Sequence, residues 1–104
     1  MSVDRKTAAS ALREIATLLE IAGENPHRVR AFANAARAAE RVDGDLGALA
    51  ASGELRRVQG LGPATVAVIE ELAAGRHPQA LAAAEQAVPQ GVRELLTIAG
   101  LGPK

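Results

Sequence analysis

The stretch Val58-Gln59-Gly60-Leu61-Gly62-Pro63 limits the fold of this chain more than any other. Glycines on both sides of one leucine let the backbone reverse within a few residues, because a residue without a Cβ enters positive φ without a clash. Gly60 and Gly62 are both expected to use that freedom, with Leu61 pressed onto the core between them. Pro63 fits the first position of a helix, where a missing N–H is no loss. Val66, Ile69, Leu72 and Ala73 follow at helical spacing and form one apolar stripe, and Gly75 stops the helix. Such a turn leaves bare N–H groups at a helix start. They attract an anion, and the absent side chains let a phosphate approach the main chain. A tight turn with no ligand satisfies the same short pattern.

The pattern returns forty residues later as Ile98-Ala99-Gly100-Leu101-Gly102-Pro103, and two matched turns are harder to dismiss than one. The second copy reaches Lys104 before a helix can follow it. A glycine turn needs a helix on either side, so the chain is expected to be a piece of a longer protein. The expected layout is a first unit over residues 1–87, with its two-helix turn at 58–74, and the start of a second unit over 88–104.

Composition narrows the chemistry. Twelve basic and twelve acidic side chains cancel, so any nucleic-acid surface must be a local patch on a neutral chain. Cysteine is absent, which excludes disulfides and thiolate metal sites. His27 and His77 stand far apart and argue against zinc. Phe32 is the single aromatic residue, so stacking of bases on an aromatic platform has little to work with. No apolar run is long enough to span a bilayer, and the first residues lack the apolar segment of a signal peptide. A soluble, cytoplasmic protein is expected. Alanine is abundant and β-branched runs are absent, which predicts an all-α, compact helical domain.

The first helix is expected from residue 3 or 4 to 22, capped by Ser2 or Asp4. Ala8, Leu12, Ile15, Ala16, Leu19 and Ala22 lie on one face. Asn25-Pro26 starts a second helix to about residue 41, buried through Val29, Phe32, Ala33, Ala36 and Ala39. Arg30, Arg37 and Arg41 share another face of it. With Arg28 in the first turn and Glu40 opposing, the segment carries a local charge of about +3. An arginine stripe is also what a solvated helix surface looks like. Asp45 caps a short helix through Leu46, Leu49 and Ala50 that Gly53 closes, and residues 54–58 form the first arm of the turn with Arg56 and Arg57. A weakly amphipathic helix follows from 78 to 87. Glu70 and Glu71 are expected to be solvated.

Taken together, residues 18–32 (LLEIAGENPHRVRAF) and 35–40 (AARAAE) resemble the amino-terminal domain of family X DNA polymerases, in particular bacterial members similar to DNA polymerase beta. The Gly60-Leu61-Gly62 turn, the Val88-Pro89 break and residues 94–104 fit the same pattern. The resemblance implies a helix-hairpin-helix fold and a place in DNA repair, including base excision repair. It implies a partner: gapped or nicked duplex DNA, held on the side that carries the 5′-phosphate. Main-chain N–H groups of Gly60, Gly62 and Ala64 would touch successive phosphates without reading bases. His27, Arg28 and Arg56 would form the 5′-phosphate pocket. Main-chain carbonyls of Arg56, Val58 and Leu61 would hold a monovalent cation, Na⁺ or K⁺, and no other cofactor is implied. Arg30, Arg37 and Arg41 match no motif position and enter on charge alone. A polymerase catalytic domain is expected to follow in the parent protein.

One departure bears on activity. Some members carry a lysine on the helix after the turn, a Schiff-base nucleophile for removing deoxyribose phosphate. The matching residue here is Val68, expected off the apolar stripe on the lysine's side, and valine has no amine. Ala64 likewise stands where a basic or polar residue is frequent. The chain itself is therefore expected not to be an enzyme; the alternatives are a helical protein-interaction module with little DNA binding and, disfavoured by Val68, a deoxyribose-phosphate lyase domain.

Overall fold

A computed structural model describes residues 4–88, which form five α-helices joined by short connections. They are α1 (Arg5–Ile21), α2 (Pro26–Arg41), α3 (Leu46–Ser52), α4 (Pro63–Ala73) and α5 (Gln79–Ala87), with a 3₁₀ turn at Glu54–Arg57 between α3 and α4. The described residues contain no strand. The second glycine turn, at 98–103, and nearly all of the unit expected over 88–104 lie outside them.

Three of the helix starts are local chemistry. The Asp4 side chain accepts from the Thr7 N–H at 2.6 Å, Asn25 from His27 at 2.8 Å, and Asp45 from Gly47 at 2.8 Å. Each satisfies one N–H group that a helix start leaves unpaired. The alanine content is packing. Ala8 and Ala9 on α1 and Ala35, Ala36 and Ala39 on α2 are fully buried, so the two helices lie close along their length. Leu12, Ile15 and Phe32 fill the space beside them.

The expected faces are right in direction and too narrow. Val29, Ala33 and Ala22 are half-buried, whereas Ala9, Ala11, Leu18 and Ala35 are buried without having been expected. The cause is that α1 packs on α2, α4 and α5 together. Two polar ties reinforce the α1–α2 pair. Arg5 Nη1 donates to the Val42 carbonyl at 2.8 Å, and Arg13 makes a paired bond to the Glu40 carboxylate at 2.6 and 3.1 Å.

Glu71 corrects the sequence expectation. Its Oε2 accepts from the Gln79 N–H at 3.1 Å, so it caps α5 rather than only meeting solvent. At the α1–α5 contact, Glu14 is half-buried and its carboxyl is raised above the ordinary value. Burial is the main cause, the Glu85 charge adds to it, and His77 opposes it. A carboxyl raised on folding favours the folded state below its unfolded pKa and loses that contribution as pH climbs through the folded value. Glu14→Gln is therefore expected to raise the melting temperature at pH 7 and to leave it unchanged near pH 3.5. Melts at the two pH values check this, and an equal shift at both would refute it.

Candidate nucleic-acid interface

The turn is fixed from below by two buried leucines, Leu55 in the 3₁₀ segment and Leu61 at the tip. The Leu61 N–H closes the bend onto the Val58 carbonyl at 3.2 Å. Gly60 has φ +97°, where only glycine is at ease, and an added Cβ would stand 2.9 Å from the Ala38 Cβ on α2. The turn therefore sits directly against the second half of α2. Gly62 is different: its φ is −105° and its ψ −179°, extended backbone open to any residue. The expectation of positive φ at both glycines is corrected at Gly62.

The amide inventory decides what the turn offers. Thr65 Oγ1 accepts from the Gly62 N–H at 2.8 Å and donates to the Gly62 carbonyl at 2.9 Å. This is half of a capping box, with threonine three residues inside the helix reaching back to the cap residue. Gly62 is thus corrected a second time, because its N–H is engaged within the protein and is not free for phosphate. The N–H groups of Gly60, Ala64 and Thr65 make no hydrogen bond among the described residues. Gly60 and Ala64 are exposed. Ala64 and Thr65 open α4, where the helix dipole is positive.

Val68 also departs from expectation. It is fully buried, as are Ile69 and, nearly so, Thr65 and Val66. α4 touches α1, α2, α3 and α5, so more than one side of it is interior. The position that resembles the lyase lysine faces the core.

The arginines divide into separate places. Arg37 and Arg41 line a cleft of about 580 Å³ together with Asn34, Ala38 and the turn residues Gln59 and Gly60. Arg56 lines a second cleft, of about 370 Å³, with Gly62, Pro63 and Glu70. Arg30 lines a third, of about 440 Å³, with Glu20, Glu24 and Val29. His27 and Arg28 line none of the three. Arg28 is 3.7 Å from Glu24, and Arg30 Nη2 donates to His27 Nδ1 at 3.1 Å. Gly60 rests on Ala38, eleven residues and about 16 Å along the helix from His27. The structure does not bring His27, Arg28 and Arg56 together in any of these three clefts. It joins the turn instead to the two arginines that had no motif assignment.

Glu40, the acid beside that pair, is committed elsewhere. Its carboxyl is held below the usual range, first by the hydrogen bond from Arg13, and to a lesser degree by the charges of Arg13 and Arg41. Asn34 and Gln59 are cleft residues that the sequence reading missed. Asn34 carries a signal, lying one turn before Arg37 and accepting from its Nη1 at 3.3 Å. Gln59 carries none.

Two helical arms around a glycine bend, the 3₁₀ segment and α4, seated among four more helices, define a helix-hairpin-helix module. The family model for a helix-hairpin-helix domain matches residues 4–78, and the chain belongs to that family. Among curated proteins it is similar to the DNA polymerase/3'-5' exonuclease PolX of Bacillus subtilis (strain 168), 33% identical over 100 residues that cover 96% of this chain and 17% of that protein. The resemblance read at residues 18–32 and 35–40 thus extends over nearly the whole chain, which spans about a sixth of the length of this relative. No solved structure matches the chain. No described helix is long and apolar enough to cross a membrane.

Proposed function

We propose that this chain is a sequence-independent DNA-binding module of a family X DNA polymerase, serving gap-filling repair. The observation that carries the reading is the pair of unbonded N–H groups on exposed residues, Gly60 in the turn and Ala64 in the first turn of α4. Main-chain donors of this kind hold phosphate oxygens and carry no base information, so they position DNA without selecting sequence. The similarity to a DNA polymerase and exonuclease supports the same reading, with the polymerase active site in another part of the parent protein. Its place of action is then the cytoplasm, on the nucleoid.

The carbonyls of Arg56, Val58 and Leu61 suit Na⁺ or K⁺. They are neutral oxygen donors, and the Val58 carbonyl, which accepts the Leu61 N–H, has a second lone pair. A cation there would bridge the bend to a phosphate oxygen. The phosphate contacts of the N–H groups need no cofactor. Lyase chemistry has no amine on α4 to start from, since Val68 replaces the lysine.

Fluorescence anisotropy with labelled gapped duplex tests the proposal. The expected Kd is about 10⁻⁴–10⁻⁶ M at physiological salt, nearly equal across unrelated sequences. Tighter binding to a gap bearing a 5′-phosphate than to one ending in a hydroxyl would place the terminal phosphate on this module. No binding even at low salt would overturn the reading in favour of a protein-interaction module.

A further inference from the structure

The clefts on either side of the glycine turn are not equivalent. On the Gly62 side, Arg56 shares its cleft with Glu70, so the formal charges cancel. On the Gly60 side, Arg37 and Arg41 line a larger cleft with no acid in its lining. Neither arginine forms an ion pair among the described residues. The partner of Arg37 is the neutral Asn34 side chain, which leaves its charge uncompensated. The neighbouring acid, Glu40, is turned to Arg13 on α1. The two guanidinium groups come from positions one helical turn apart on α2, and Gly60, whose N–H is unbonded, lines the same cleft. Two planar guanidinium cations, a neutral amide and a free main-chain donor describe a receptor for phosphate oxygens.

We propose that this cleft seats successive phosphodiesters of one DNA strand, with Arg37 and Arg41 as its cations and the Gly60 N–H as its backbone donor. The assignment rests on the DNA-binding reading above and deepens it. The strand runs along the α2 side of the turn, and His27, Arg28 and Arg30 lie outside its path. Two arginines and a main-chain donor in one cleft suit successive phosphodiesters better than a single terminal phosphate. The contacts should therefore be indifferent to what ends the strand.

The test uses the 104-residue chain and a fluorescein-labelled duplex, with affinity measured across a salt series. Each lost phosphate contact lowers the slope of log K against log salt by about 0.9, so R37Q/R41Q is expected to lower it by about 1.8 and to weaken binding by about tenfold or more at low salt. R37K/R41K should restore most of the slope, because the slope counts charges. R28Q/R30Q should leave it unchanged. The loss in R37Q/R41Q should be the same with a 5′-phosphate or a 5′-hydroxyl. All four side chains are exposed, and unchanged far-UV circular dichroism would show that the fold persists. An unaltered slope in R37Q/R41Q, with the unsubstituted chain still binding, overturns the cleft assignment alone. A slope reduced equally by R28Q/R30Q overturns the path. Failure of the unsubstituted chain to bind removes the DNA-binding reading and the assignment with it.

Discussion

Gly60→Ala is expected to lower the melting temperature by about 10–20 °C, and Gly62→Ala by no more than about 5 °C. The two glycines flank the same leucine, yet only one needs to be glycine. At φ +97° an alanine is strained, at a cost of about 1–3 kcal/mol. Its Cβ would also stand 2.9 Å from the Ala38 Cβ. That neighbour sits inside α2 and has no rotamer by which to retreat, so α2 and the turn must separate, which adds about 1–3 kcal/mol of overpacking. Gly62 has ordinary extended backbone and nothing within 4 Å of an added Cβ. Alanine there costs no more than about 1 kcal/mol, the difference between the two residues at a helix cap. Thermal melts of both variants decide the matter. The steric part has its own check, since Ala38→Gly in the Gly60→Ala background should recover stability despite the roughly 1 kcal/mol helix penalty of a second glycine. Equal melting temperatures for the two single variants would mean that the bend is not built as described.

This inequality marks where the sequence stopped being informative. The caps at Asp4, Asn25 and Asp45 were legible because each bond spans two or three residues and depends on little else. The bend was legible for the same reason. Which glycine takes positive φ was not, because that depends on the hand of the turn and on which wall it meets. The Gly60–Ala38 contact joins positions 22 residues apart and leaves no local pattern. The same contact decides which arginines matter. Along α2, Arg28, Arg30, Arg37 and Arg41 look alike, and only the landing point of the turn selects the last two. Thr65 lay in plain view, three residues after the cap position, but the apolar stripe around it drew the reading toward packing.

Val68→Lys is expected to be the most damaging single change on α4. Read from one apolar stripe, residue 68 is a lateral position that a lysine could occupy. α4 has neighbours on several sides, however, and residue 68 has no exposure at all. An ammonium placed there loses its water, and burial of this kind lowers a lysine pKa by up to about 3–5 units. The unfolded chain holds the proton up to about pH 10.4 and the folded chain releases it several units lower. Between those values the unfolded state binds more protons, so stability rises with pH by about 1.4 kcal/mol per unit. At pH 7 the cost is about 4–5 kcal/mol, close to the whole stability of a marginal domain. Val68→Lys should therefore be largely unfolded at pH 7 and regain helicity toward pH 10, whereas Val68→Ile should stay folded at both. Circular dichroism at the two pH values reads this directly. A Val68→Lys chain as stable at pH 7 as its parent would mean that the side chain reaches solvent and that the lyase position is open after all. The expected outcome carries a stronger meaning than the missing amine: in this fold the position is part of the core, and restoring the lysine would remove the fold before it restored any chemistry.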